Sequence, residues 1–187
     1  MIKEKDFTGI TKKKWVYKDL CFIIPLKLFR KTPSVEFYKI PEVMKNLGAI
    51  DKVIHEKGAK SPMIANDKKH YWYMHQYQED QILVHQGTRI IELYSRKHGR
   101  AEKFEVTPNR IKLNGKIIFK GAGILAWPQY VFHRITSPQG SISTNYAKHY
   151  SGFNIKTNFN IYDLDVKSGE YHIVRAGHKD QKLHKVL

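Results

Sequence analysis

The feature that most constrains this chain is a succession of short strand-like segments, punctuated by turn residues, from residue 50 to residue 174. They fall at residues 50–55, 71–75, 81–85, 89–94, 103–106, 110–113, 117–120, 123–127, 131–136, 141–148, 159–164 and 171–174. Each has the length of a strand and is rich in β-branched or aromatic residues. Asn114-Gly115 is the strongest hairpin signal, because both residue types accept the positive φ of a tight two-residue turn. Ser168-Gly169 marks another turn, and residues 58–69, with Ser61-Pro62 and Asn66-Asp67, read as a loop. Many short strands with little helix predict an all-β protein, an antiparallel sandwich or barrel.

The N-terminal quarter reads differently. Residues 1–19 form a polar, basic arm with Trp15 and Tyr17 as its first anchors, and residues 20–30 suggest a buried strand. Residues 40–48 predict a short helix: Pro41 suits its first turn, Glu42 its positive end and Gly48 its stop. The expected plan is an arm with strand and helix over residues 1–49, packed on a barrel of residues 50–176, then a basic tail over residues 177–187. A chain of 187 residues, 41% of them hydrophobic, can bury a core without disulfides. Its one cysteine, Cys21, sits in an apolar run and reads as a small core residue.

The net charge is +16, from 33 Lys and Arg against 17 Asp and Glu. Such a surface attracts anions. The lysines are spread along the chain, with dense runs only near the ends, and no nucleic-acid-binding motif accompanies them, so nucleic acid is not the expected partner. Residues 20–29 are too short and too interrupted to span a bilayer, and no signal peptide is visible, so a cytoplasmic protein without a membrane partner is expected.

Two segments carry chemistry. Residues 73–87, Tyr-Met-His-Gln-Tyr-Gln-Glu-Asp-Gln-Ile-Leu-Val-His-Gln-Gly, place Tyr71, Tyr73 and His75 on one strand face, with Glu79 or Asp80 brought near His75 by a bend. Glu79 would face away from Asp80 on a strand. Residues 121–133 run through Trp127-Pro128-Gln129-Tyr130 into a strand beginning near His133. A histidine from each of two strands plus one carboxylate is the composition of a facial metal triad. Tyr71, Tyr73, Trp127, Tyr130 and Phe132 could line a pocket. Gln78 and Gln81 could orient a ligand, Arg89 and Arg134 could pair with an anionic one, and His85 could enter the pocket.

These segments resemble the two motifs of the cupin superfamily, RmlC-like cupins in particular. Gly87 takes the first motif's glycine, Asp80 its acidic position and His75 its second histidine, while Tyr73 stands where the first histidine would be. In the second motif Pro128 and His133 match at the right spacing, with Tyr130 in place of a glycine.

The resemblance implies a single-domain cupin or jelly-roll β-barrel, commonly a homodimer. It implies catalytic roles for Tyr73, His75 and His133, a divalent metal on His75, Asp80 and His133 (Fe2+ first, with Mn2+, Ni2+ or Zn2+ as alternatives), and a substrate pocket lined by Tyr71, Gln78, Trp127, Tyr130 and Arg134. The expected function is a metal-dependent dioxygenase of a small, anionic organic substrate. The alternatives are a metal-free isomerase or epimerase of a nucleotide sugar, and a non-catalytic ligand-binding cupin.

Overall fold

The structure is a computed structural model and describes residues 13–40 and 46–179. Its strands, in chain order, are β1 (Lys14–Tyr17), β2 (Cys21–Pro25), β3 (Lys27–Lys31), β4 (Glu36–Lys39), β5 (Ala49–His55), β6 (Ala59–Ser61), β7 (Trp72–Met74), β8 (Gln78–Gly87) and β9 (Arg89–Tyr94). Then follow β10 (Ala101–Thr107), β11 (Arg110–Leu113), β12 (Lys116–Lys120), β13 (Gly123–Trp127), β14 (Phe132–Ser137), β15 (Ser141–His149), the four-residue helix α1 (Ile155–Asn158), β16 (Ile161–Leu164) and β17 (Tyr171–Arg175). The helix expected at residues 40–48 falls largely on residues 41–45, outside the described residues, as does most of the tail.

The strands form a six-stranded sheet, β1-β2-β13-β8-β15-β5, and a larger one, β12-β11-β10-β9-β14-β7-β16-β17, with β6 also paired to β14. Every strand pair is antiparallel. Ile23 of β2, Val84 of β8 and Leu125 of β13 share one buried cluster with Ile91, Phe104, Ile111 and Ile135 of the other sheet, so the two sheets face each other across a common core. Alternation explains the all-apolar β2. Cys21 and Ile23 point into that core, whereas Phe22 and Ile24 join Leu83, Ile124 and Tyr146 on the outer side, against Leu26 and Leu47. The chain's early segment is thus more than an arm, since β1 and β2 extend the six-stranded sheet through β13.

Local chemistry sets the turns. Asn114 and Gly115 adopt φ of 47° and 84°, closing the β11–β12 hairpin between Leu113 and Lys116. Residues 58–69 are not all loop: Ala59–Ser61 pairs with β14. Residues 27–39 hold a separate hairpin, β3–β4, which extends beyond the strand expected at residues 20–30. Among the described residues, no helix is long and apolar enough to cross a membrane.

Candidate functional site

Inward faces of strands from both sheets build a cavity of about 360 Å³ between them. On β8, Gln78, Asp80 and Ile82 line it, while Glu79 turns outward to Lys13 (3.6 Å), Gln81 and Tyr150. On β5 the lining residues are Asp51, Val53 and His55, and on β15 Asn145. His75 follows β7, where Trp72 and Met74 face an outer apolar cluster and Tyr73 takes the opposite side. His133 and Ile135 alternate on β14 with outward Phe132 and Arg134. Phe153, Ile155 and Phe159, from the segment around α1, complete the wall.

His75, Asp80 and His133 converge, with ligand-type atoms all within 4.8 Å of one another. His75 Nε2 lies 3.3 Å from Asp80 Oδ2, and His133 Nε2 lies 3.7 Å from the same oxygen. All three side chains are buried. His75 Nδ1 donates to the Asn158 carbonyl at 2.6 Å, which fixes a proton on that nitrogen and aims Nε2 at Asp80. The other carboxylate oxygen, Asp80 Oδ1, accepts from Gln78 Nε2 (2.6 Å) and Asn145 Nδ2 (2.9 Å), and Asn158 Nδ2 in turn holds Gln78 Oε1 (2.9 Å). The carboxylate is therefore clamped on one side and left facing two imidazoles on the other.

Burial pushes the Asp80 carboxyl up, but the two imidazoles and the bonds from Asn145 and Gln78 outweigh it and hold it below the usual carboxylate range. Burial, and then repulsion from His75, push His133 down to about 4, so its imidazole is neutral at neutral pH. Tyr73 packs against both histidines, with ring centroids 6.2 Å from His75 and 5.9 Å from His133, and Trp127 stands 5.1 Å from the His133 ring.

The expected site residues divide. Gln78 and Trp127 line the cavity beside His75 and Asp80. Tyr71, Tyr130 and Arg134 do not, and their assignment to the pocket is corrected. Tyr71 precedes β7 and donates its hydroxyl to Asp67 at 2.7 Å. Tyr130 has a φ of 63°, is 56% exposed and lies at a separate surface depression with Pro128 and Gln129. Arg134 has the opposite strand parity to His133, pairs with Glu92 at 2.7 Å and covers the Trp72 ring. His85 is exposed and bonds Thr144. Asn145, Asn158, His55 and His149 were missed. Strand parity pointed to Asn145; nothing in sequence spacing brings Asn158 to His75.

Facing antiparallel sheets around a cavity that gathers histidines and a carboxylate give this chain the fold of a cupin-type β-barrel. Solved structures place its fold among the RmlC-like cupins. QdtA, a sugar 3,4-ketoisomerase from Thermoanaerobacterium thermosaccharolyticum in complex with TDP, is 10% identical, with a TM-score of 0.51 over 71% of this chain and 82% of that one. The dTDP-4-dehydrorhamnose 3,5-epimerase of Sulfolobus tokodaii is 15% identical (TM-score 0.52, 76% and 77% covered). NovW, a 4-keto-6-deoxy sugar epimerase from the novobiocin biosynthetic gene cluster of Streptomyces spheroides, is 9% identical (TM-score 0.53, 75% and 70% covered). No protein-family model and no curated protein sequence matches the chain.

These neighbours overturn the expected metal cofactor. They are sugar epimerases and isomerases, whose reactions need an acid and a base rather than a redox metal. The spacing of His75, Asp80 and His133 would admit a cation, yet one proton on His75 Nε2, donated to Asp80 Oδ2, satisfies the same geometry. The Fe2+, Mn2+, Ni2+ or Zn2+ site is therefore withdrawn, and the dioxygenase reading loses its basis.

Proposed function

We propose that this protein is a metal-free isomerase or epimerase of a keto sugar carried on a nucleotide diphosphate. The observation that carries the reading is the buried His75–Asp80 pair, 3.3 Å apart, in a cavity between the two sheets. Shifting or inverting a centre beside a ketone requires removing a proton from the adjacent carbon and returning one elsewhere, with no net oxidant. In this reading the C–H proton passes to the Asp80 carboxylate, which His75 positions, and the electrons move onto the ketone oxygen as an enolate. A proton is then delivered either to the neighbouring carbon or to the opposite face. His133, neutral and buried, and Tyr73, against both imidazoles, flank that exchange as proton carriers or substrate contacts. Trp127 and Phe159 keep it dry.

The positive surface suits an anionic, nucleotide-linked substrate. The resemblance further implies a homodimer. The edge strand β5, with Ile50 65% and Ile54 61% exposed, supplies a surface for such pairing, which light scattering would measure.

Incubating the protein in D2O with dTDP-linked 4-keto-6-deoxy sugars tests the function. Deuterium entering a carbon next to the ketone, and lost in His75→Gln, is the expected result. No exchange with any member of the panel would reject it.

A further inference from the structure

On β9 the inward positions read Arg89, Ile91, Leu93, so a guanidinium occupies a place that its strand otherwise gives to apolar side chains. Arg89 is 1% exposed, lines the cavity, and forms no ion pair with a carboxylate among the described residues. Its partners are neutral: Nε donates to Ser141 Oγ at 3.1 Å, and Nη2 reaches the Val53 carbonyl at 3.5 Å. Ser141 Oγ lies 2.9 Å from Ser137 Oγ, which lies 3.0 Å from His55 Nδ1.

Arg89 can only donate, so Ser141 Oγ accepts from it, and the two serine hydroxyls and the His55 imidazole continue the row. No group in the row carries a negative charge that would neutralise the guanidinium. Burial and then Arg89 itself push His55 down to about 4, so the histidine stays neutral and supplies no anion. A buried, unpaired cation is costly, and proteins keep one where a ligand supplies the missing charge.

The cavity is also polarised along its length. Asp51, Asn145 and Asp80 stand at one end, and His55 and Arg89, the latter bonded to Ser141, at the other. Asp51 to His55 on β5, and Ser141 to Asn145 on β15, each span four residues, roughly 13 Å of strand. We infer that Arg89, braced by Ser141, is an oxyanion-binding subsite for a phosphoryl or carboxylate group of the substrate, holding that group at the end of the cavity opposite the His75–Asp80 pair. The inference rests on the isomerase reading for the identity of the substrate but not for the binding of the anion.

Thermal-shift titrations of the full-length protein with inorganic phosphate, D-glucuronate and neutral D-glucose, at matched ionic strength, test it. Stabilisation by phosphate assigns the subsite to a phosphoryl group, and stabilisation by glucuronate alone to a carboxylate. Glucose produces no shift. Arg89→Met weakens the stabilising oxyanion by at least about tenfold while the variant itself melts at or above the wild-type temperature, since an unpaired buried charge is gone. Arg89→Lys, which keeps the charge but not the fork, gives a smaller loss and decides the matter should the methionine variant not fold. The subsite is overturned if neither oxyanion stabilises the wild type, if glucose does so equally, or if both variants bind as tightly as the wild type. Anion binding that persists without any deuterium exchange on keto sugars rejects the isomerase reading and leaves the subsite standing. Exchange without anion binding does the reverse.

Discussion

His75 Nε2 and Asp80 Oδ2 face each other at 3.3 Å, both buried, each held from behind by a bond its partner does not share. Asp80→Asn keeps the shape but replaces the acceptor oxygen with an amide or an uncharged carbonyl. Proton exchange at the substrate should fall by about 10²–10⁴-fold, the usual weight of a positioned acid or base, while circular dichroism stays that of the wild type. An exchange rate within a few-fold of wild type would remove Asp80 from the chemistry.

Stability should fall as the solution is acidified from pH 7. His133 drops from 6.5 to about 4 on folding, because burial and His75 oppose its charge. Between those values the unfolded chain takes up a proton that the folded chain refuses, so acidification favours unfolding by an amount of order 3 kcal/mol, levelling off below about pH 4. Asp80 acts in the same direction at lower pH. Its folded value is depressed, so its stabilisation is complete above the unfolded carboxylate range and disappears as pH falls through the folded value. Urea midpoints from pH 7.5 to 4.5 should decline in the wild type and decline less in His133→Gln. Equal slopes would contradict the assignment.

Gly87 has a φ of +75°, and a Cβ there would run into the Gly140 carbonyl oxygen across the β8–β15 pairing. The obstacle is backbone and cannot swing aside. Gly87→Ala should lose at least about 2 kcal/mol in chemical denaturation. The damage falls next to Ser141, so anion-dependent stabilisation should weaken with it.

Tyr130 is the opposite case. It holds φ at 63°, a region that glycine enters without penalty, and its ring is largely in solvent. Tyr130→Gly should raise stability by about 1 kcal/mol and leave substrate exchange unchanged. A loss of exchange would return Tyr130 to the active site.

The convergence of His75, Asp80 and His133 was legible because strand parity and motif spacing act together: Asp80 shares a face with Gln78 and Ile82, and His133 with Ile135. Parity also carried the correction for Arg134, one residue from His133 and hence outward. Tyr71 lay before the strand, where alternation has no force, and Tyr130 sits in a left-handed turn that reverses its direction. Asn158 reaches His75 through a long-range approach of α1, which no local pattern encodes. The metal was over-read, since two imidazoles and a carboxylate look alike in sequence whether they share a cation or a proton. Arg89 was visible as a charge, but only burial separates it from the solvated arginines.

The placing of β2 beside β13 has a consequence for how the molecule is made. Ile23 pairs with Leu125 and Phe22 with Ala126, about a hundred residues apart. During synthesis the run Leu20-Cys21-Phe22-Ile23-Ile24 leaves the ribosome long before its partner exists, and both of its faces are apolar. A closure of that sequence separation is slow in its nature, and an unpaired strand of this composition is a template for association with other chains. The nascent chain therefore spends its most aggregation-prone interval waiting for residues 123–127, and yield should depend on temperature and on holdase chaperones more steeply than the stability of the finished fold would suggest.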